Sequence, residues 1–224
     1  MNRFSSVRPL LFCGALAPPV FVVVFLVAGA LRAGYDPTYH PVSALSLGGL
    51  GWLQITSFVV TGLLLLAFAV GLRRVMRPGP GSRWAPVLIG MVGVSLVASG
   101  VFVMDPIPTF PPGTTSIPEP ATWHHTLHDL AGAGVFGLLP IACFVMARWF
   151  GSRPGRPGWM WYSLVTGVAM IVLLIAFGTA YEADHAASGL VQRAQIIVGW
   201  AWISLVALRL WADQRPVSPQ RSGS

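Results

Sequence analysis

Apolar residues are gathered into six long stretches, which short polar connections separate. Each stretch is about 20 residues long, the length of helix that crosses the hydrocarbon core of a bilayer. A helix satisfies its backbone polar groups internally, so the pattern predicts six transmembrane spans. They cover Leu10–Leu31, Leu53–Leu72, Pro86–Met104, Leu127–Ala147, Trp159–Ala180 and Leu190–Leu210.

The composition agrees with an integral membrane protein. Hydrophobic residues make up 54% of the 224 residues and charged residues only 9%, with a mean hydropathy of +0.70. A soluble domain carries about 25% charged residues. Because six spans leave only short connections, we expect one all-α transmembrane domain over residues 1–224, packed through glycine and other small residues, with a polar tail at 213–224.

The arginines predict the orientation. Twelve of the 14 basic residues fall before the first span, in the second and fourth connections or near the C-terminus, which leaves Arg32 and Arg193 on the other side. Positively charged short loops stay in the cytoplasm, so both termini are expected there, in a multi-pass protein of the cell membrane. The arginines are scattered and form no compact basic domain, which argues against nucleic-acid binding.

The opposite side holds most of the groups that can do chemistry. All five histidines and six of the seven acids fall in the first, third and fifth connections, which would face one extracytoplasmic compartment. Loops held by rigid helices often carry functional sites. Charged residues also avoid lipid whatever the function, so the pattern indicates where a site would lie rather than its chemistry.

Two histidines at the start of the fourth span form the most specific cluster. His124 and His128 share a helix face at i, i+4, a spacing that suits Zn²⁺ if a neighbouring loop adds a third ligand. Heme is an alternative, although bis-histidine heme usually takes its ligands from different helices. Without a cofactor, these residues would be hydrogen-bonded polar groups at a helix entrance. The cofactor stays open, with zinc as the candidate metal.

Two carboxylates lie at the outer ends of predicted spans. Asp105 follows the third span and Glu182 follows the fifth. Partial burial at a membrane boundary raises a carboxyl pKa and suits general acid–base catalysis, so Asp105, Glu182 and His128 are the candidate catalytic residues. This assignment requires the three side chains to converge around a cavity open to lipid. The alternative for Asp105 is an Asp-Pro turn that ends a helix.

Four residues are candidates for binding a substrate. Arg193 lies about one turn inside the sixth span, where an arginine is costly unless it is paired or in contact with water. It would either clamp an anion such as a lipid phosphate or form an ion pair with an acid of the outer connections. Gln192 beside it, and His40 and Ser43 in the first connection, complete the set. Ser43 lacks the Gly-x-Ser-x-Gly elbow of a nucleophile.

Short patterns follow one another along nearly the whole chain, from about residue 10 to residue 210. They are His40-Pro41-Val42-Ser43 followed by Gly48-Gly49 and Trp52, the Gly62 span ending in Arg73, Gly100-Val101-Phe102 before Asp105, Leu127-His128 before an apolar helix, and Gln192-Arg193 before a Trp-rich span with Arg209. In these patterns the chain resembles the bacterial polytopic membrane proteins grouped as domain of unknown function 998. The resemblance implies a six-helix membrane protein and no particular activity.

The sequence is compatible with three functions. An enzyme would act at the outer leaflet on a lipid or isoprenoid-type substrate by acid–base or metal-assisted chemistry. A non-catalytic membrane partner or ligand sensor would leave the outer histidines and acids exposed and apart. A small-molecule transporter is less favoured, because the middle of the spans is nearly free of charge. The expected partners are the lipid bilayer and a lipid or hydrophobic small molecule, with no indication of oligomeric state.

Overall fold

The computed structural model describes residues 7–76 and 78–214, and six long α-helices contain most of them. All six are long and apolar enough to cross a membrane. The prediction of an all-α, multi-pass membrane protein is therefore confirmed. The helices are α1 (Arg8–Leu31), α2 (Gly51–Val75), α3 (Trp84–Val101), α4 (Trp123–Gly151), α5 (Pro157–Glu182) and α6 (Ser188–Ala212).

The helix ends differ from the predicted ends where local hydrogen bonds decide them. α4 begins at Trp123 rather than Leu127, because the Thr122 side chain accepts the backbone N–H of His125 at 3.3 Å and caps the helix. α3 ends at Val101, and the next residue, Phe102, is already extended. The third connection therefore starts at Phe102, earlier than predicted, and ends at Thr122, which caps α4.

The six helices form a closed ring in chain order. Each helix packs against the next one, and α6 packs back against α1. Glycines allow the backbones to approach closely, as is usual between membrane helices. Where α2 meets α3, a methyl group added at Gly62 would lie only 2.6 Å from the carbonyl oxygen of Gly93. The ring leaves an interior that residues from all six helices can reach.

α5 is packed over only part of its length. Its buried residues are Ser163, Thr166, Gly167 and Met170. Every residue of α5 is described, and none from Ile171 to Glu182 is buried. The first half of α5 is therefore fixed against α4 and α6, whereas its second half lies at the edge of the bundle.

Connections 32–50, 102–122 and 183–187 lie together at one end of the bundle, which we call the polar end. The first contains a short 3₁₀ helix, Val42–Ser46. The Tyr39 hydroxyl donates to the Asp184 carboxylate, and His40 Nε2 lies 3.0 Å from Thr109 Oγ1. Ser188 Oγ also donates to the Tyr39 carbonyl at 2.9 Å. The three connections therefore contact one another.

The end of the bundle opposite to the polar end carries all the described arginines except Arg32 and Arg193. Asp213 there accepts one hydrogen bond from Arg156 at 2.7 Å and lies 3.2 Å from Arg209, so it ties α6 to the connection before α5. Most of the predicted polar tail, residues 215–224, lies outside the described residues, as do Arg3 and Arg77. The cytoplasmic location of this end stays a prediction.

Candidate functional site

A cavity of about 450 Å³ lies inside the bundle, in the half nearer the polar end, and we call it the chamber. Residues of all six helices and of the first connection line it. Its volume lies in the range of about 300–1,000 Å³ that is usual for small-molecule sites. Most of its wall is apolar, and its aromatic members are Phe21, Phe58, Phe136, Phe177, Tyr181 and Trp200.

The chamber extends along the facing sides of α4 and the second half of α5. Leu174, Phe177, Gly178 and Tyr181 contribute one face of α5 at i, i+3, i+4 and i+7. A methyl group added at Gly178 would meet no atom within 4 Å, and the same is true of Gly132 and Gly137 on α4. These glycines leave unfilled space between the two helices, at the edge where α5 is not buried.

His128 lies on the chamber wall in a fixed tautomer. The ring is buried, and its Nδ1 lies 2.8 Å from the Phe102 carbonyl oxygen and 3.2 Å from that of Ser99. A carbonyl oxygen only accepts, so Nδ1 of the neutral ring carries the hydrogen and Nε2 carries the lone pair. Within the described chain, Nε2 makes no hydrogen bond or ion pair. His128 therefore has one basic nitrogen available to a molecule in the chamber.

Gln192 and Ser43 add further hydrogen-bonding atoms to this wall. The side-chain oxygen of buried Gln192 accepts the backbone N–H of Val42 at 2.8 Å. The Gln192 side-chain NH₂ group makes no hydrogen bond with a described residue, so both of its donors stay available. The hydroxyl of half-buried Ser43 likewise has no partner in the described part of the chain. Both residues are among the predicted substrate-binding set.

A contact between a histidine and a carboxylate lies at the rim of the chamber. His125 Nδ1 accepts the backbone N–H of Asp105 at 2.9 Å, and His125 Nε2 lies 3.3 Å from the Asp129 carboxylate. Because both ring nitrogens are used, His125 positions Asp129 rather than serving a ligand. The Asp129 side chain is 67% exposed, and it brings the only carboxylate among the described residues of the chamber wall.

Asp105 anchors the start of α4 and does not line the chamber. Its carboxylate accepts the backbone N–H of Thr122 at 2.8 Å and the Thr122 hydroxyl at 2.6 Å. Burial alone would raise the pKa of Asp105, but the bonds from Thr122 and the nearby His125 and His124 hold the pKa below its ordinary value. The expected rise in pKa is therefore wrong, because the carboxylate has strong donors that the sequence did not reveal.

Glu182 and His124 lie apart from the chamber. Glu182 is exposed at the end of α5, and no hydrogen bond or ion pair between described residues joins it to Asp105 or His128. His124 is exposed and stacks on Trp123, with 3.6 Å between ring centroids. Within residues 7–76 and 78–214, no group of three or more His, Cys, Asp or Glu side chains could hold a metal ion. The predicted zinc site gains no third ligand there.

His40 joins two connections of the polar end. Its Nδ1 accepts the backbone N–H of Asp36 at 2.8 Å, so the neutral ring carries its hydrogen on Nε2, which reaches Thr109. The ring also packs on Phe110, with 5.3 Å between centroids. Burial lowers the pKa of His40, Asp36 opposes this effect, and Arg193 adds to it. His40 therefore occupies a structural position behind the chamber wall.

Arg193 is buried without a carboxylate. Its guanidinium donates to the carbonyl oxygens of His40 at 3.0 Å and Gly189 at 2.9 Å, and to the Tyr35 hydroxyl. The expected ion pair with an outer acid is wrong, since no described acid pairs with it. A carbonyl oxygen of the first connection, one of α6 itself and the Tyr35 hydroxyl take the place of the carboxylate, and Arg193 does not line the chamber.

Three buried polar residues of α2 were missed by the sequence analysis. Gln54, Ser57 and Thr61 are buried, and their side-chain oxygen and nitrogen atoms form no hydrogen bond with the described residues. Their spacing of i, i+3 and i+7 within an apolar span was the signal that could have found them. They do not line the chamber, although the intervening Phe58 does.

Comparison with known proteins identifies a family. The family model described as "Protein of unknown function (DUF998)" matches residues 15–209. No curated protein and no solved structure matches the chain. The matched region begins within α1 and ends within α6, so it includes every residue that lines the chamber.

Proposed function

Because the chain belongs to the DUF998 family, whose description names no activity, we propose its function from the chamber: it binds an amphipathic small molecule of the lipid or isoprenoid type. One observation carries this proposal. The chamber combines an apolar wall, an incompletely packed side between α4 and α5, and polar atoms of His128, Gln192 and Ser43 that have no partner among the described residues. Sites for small molecules typically pair apolar walls with a few placed polar groups.

The shape of the chamber supports a ligand that comes from the bilayer. The second half of α5 presents exposed apolar residues, among them Val172 and Ile175, on the outside of the same helix that lines the chamber. An apolar chain can therefore pass from lipid to the chamber beside Gly132, Gly137 and Gly178 without crossing water. The polar group of the ligand would then meet His128, Gln192 or Ser43.

The tautomer of His128 favours a second candidate function, acid–base catalysis on the bound molecule. With Nδ1–H held by two carbonyl oxygens, Nε2 can take a proton from a ligand, and the same carbonyls stabilise the imidazolium that results. Of the three predicted catalytic residues, His128 alone lines the chamber. Asp105 would act only by positioning α4, and Glu182 would take no part.

The proposed location is the outer leaflet of the cell membrane. Arginines cluster at the end opposite to the polar end, with Arg73 and Arg74 in the last turn of α2 and Arg148 in that of α4. This distribution favours a cytoplasmic location for that end. The polar end and the chamber would then face the extracytoplasmic side.

Photolabelling in lipid nanodiscs tests the binding proposal. The probes are farnesol and farnesyl monophosphate analogues that carry a diazirine in the chain. We expect labelled peptides from residues 125–137 and 174–181. Gly178→Trp, which fills the chamber, should lower labelling by about tenfold or more.

Gly158→Trp is the matched control. Gly158 lies on the same helix and also has open space around it, but it lies at the other end of the bundle. This variant should label like wild type. If neither probe labels the two segments, or if Gly178→Trp labels as strongly as Gly158→Trp, the proposed function is wrong.

A further inference from the structure

We infer that the chamber selects a neutral, hydroxyl-bearing apolar molecule over the phosphorylated form of the same molecule. This inference rests on the proposed function and specifies its ligand class. It departs from the sequence-based expectation of an anion clamp at Arg193. Three features of the chamber wall support this inference. Its described residues include no arginine, it has both a free hydrogen-bond donor and a free acceptor, and the Asp129 carboxylate lies at its rim.

Among the described residues, the chamber wall includes no permanently charged cation for an anionic group. None of the described arginines lines it. Arg193 gives its donors to two backbone carbonyls and Tyr35, and Arg32 donates to the Leu47 carbonyl and lies over the Phe110 ring. Burying a phosphate without a positive partner is strongly unfavourable. The Asp129 carboxylate at the rim would repel such a group further.

The free polar atoms of the wall suit a hydroxyl group. His128 and Gln192 are only 6% exposed each, so their unused atoms are accessible almost solely from the chamber. In the neutral state His128 Nε2 needs a donor, whereas the Gln192 NH₂ group needs an acceptor. An alcohol supplies both, since its O–H donates and its oxygen accepts. A phosphate monoester dianion has only acceptors and would leave Nε2 facing an oxygen lone pair.

Ser43 provides a way to reverse the preference. Ser43 lines the chamber and its hydroxyl has no partner among the described residues, so its replacement removes no hydrogen bond described here within the protein. Ser43→Lys would add the missing cation beside the polar group of the ligand. Ser116 is exposed in the third connection and does not line the chamber, so Ser116→Lys adds the same charge elsewhere at the polar end.

The experiment measures binding of tritiated farnesol and farnesyl monophosphate to the protein in nanodiscs at pH 8, where an ordinary imidazole is neutral. Empty nanodiscs give the partitioning background. We expect wild type and Ser116→Lys to bind farnesol at least about tenfold more tightly than the phosphate. Ser43→Lys should lose or reverse that preference.

Three adverse outcomes are distinguishable. If the phosphate binds wild type as tightly as farnesol, and Gly178→Trp abolishes both, the chamber is a ligand site but the inference is overturned. If neither compound binds wild type above the background of empty nanodiscs, the proposed function fails together with the inference. A preference that Ser43→Lys leaves unchanged in a folded protein also contradicts the inference, because the selectivity would then arise elsewhere.

Discussion

At the residue scale, the buried polar side chains near the polar end fall into two groups. His40 and Arg193 bond to the backbone, Tyr35 or Thr109 and hold the connections together. His128 and Gln192 are also buried, but each keeps hydrogen-bonding atoms without a partner in the described chain, and both line the chamber. Only the second group is suited to a ligand.

Replacing two histidines of α4 tests this division. We expect His128→Ala to weaken farnesol binding by about tenfold, because the ligand loses its acceptor in the chamber. His124→Ala should bind like wild type, since His124 is exposed and stacks only on Trp123. The melting temperature of each variant, measured in the same nanodiscs, separates lost binding from lost folding. Equal losses in the two variants would contradict the prediction.

Asp105 has a structural role that can be separated from catalysis. Asp105→Ala removes the bonds to Thr122 and should lower the free energy of unfolding by about 1.5–3 kcal/mol, as is usual for hydrogen bonds to a charged group. Since the pKa of Asp105 is lowered in the folded protein, its contribution is present above the ordinary carboxyl pKa and is lost as the pH falls through the folded value.

Thermal melts of wild type and Asp105→Ala at pH 7 and at acidic pH check this prediction. The difference between the two proteins should shrink in acid, and farnesol binding at pH 7 should persist in the folded variant. A fully stable Asp105→Ala protein that no longer binds farnesol would contradict this structural role.

At the scale of helices, α5 decides where the chamber lies. Its first half packs through Gly167, where an added methyl group would lie 2.8 Å from the Phe144 ring, and through Met170 against Gly199 of α6. Its second half has no buried residue. The first half of α5 therefore packs within the bundle, whereas the second half forms one side of the chamber and is not fully packed.

Hydrogen–deuterium exchange can compare the two halves of α5. Amides of residues 171–182 should exchange at least about tenfold faster than those of residues 160–170, because few tertiary contacts oppose local opening. Bound farnesol should slow exchange in the second half and leave the first unchanged. Uniform exchange along α5, with or without ligand, would show that the second half is as firmly held as the first.

The helices could be predicted from sequence because the length of an apolar run is a local property. The bonds that Thr122 donates to Asp105 could not, since they join residues that are distant in the sequence. The chamber could not either: residues 171–182 are mostly apolar, and only the tertiary structure shows that none of them is buried. His128 and Gln192 were predicted as site residues from their position near the outer ends of predicted spans. The backbone partners of His40 and Arg193 could not be predicted from the sequence.

At the scale of the whole molecule, most of the described arginines lie at one end of the ring, and the hydrogen bonds between connections concentrate at the other, the polar end. The predicted orientation assigns this end to the outside. Cysteine labelling tests it in a background where Cys13 and Cys143 are replaced by alanine. Ser116→Cys at the polar end and Ser152→Cys at the opposite end are both exposed and equally conservative.

We expect a membrane-impermeant maleimide to label Ser116→Cys in intact cells and Ser152→Cys only after permeabilisation, because arginine-rich connections stay in the cytoplasm. The reverse labelling pattern would place the chamber in the cytoplasmic leaflet. The ligand would then come from that leaflet, and the proposed location would be wrong although the chamber itself would be unaffected.

The partly unpacked α5 would make the surrounding membrane a component of the proposed binding site. Between α4 and residues 171–182, acyl chains of neighbouring lipids must supply the contacts that protein side chains do not. Lateral pressure in that leaflet would therefore set how closely α5 approaches α4. Cells that change the saturation of their lipids would therefore change the fraction of chambers that hold a ligand, without any change in the sequence of the protein.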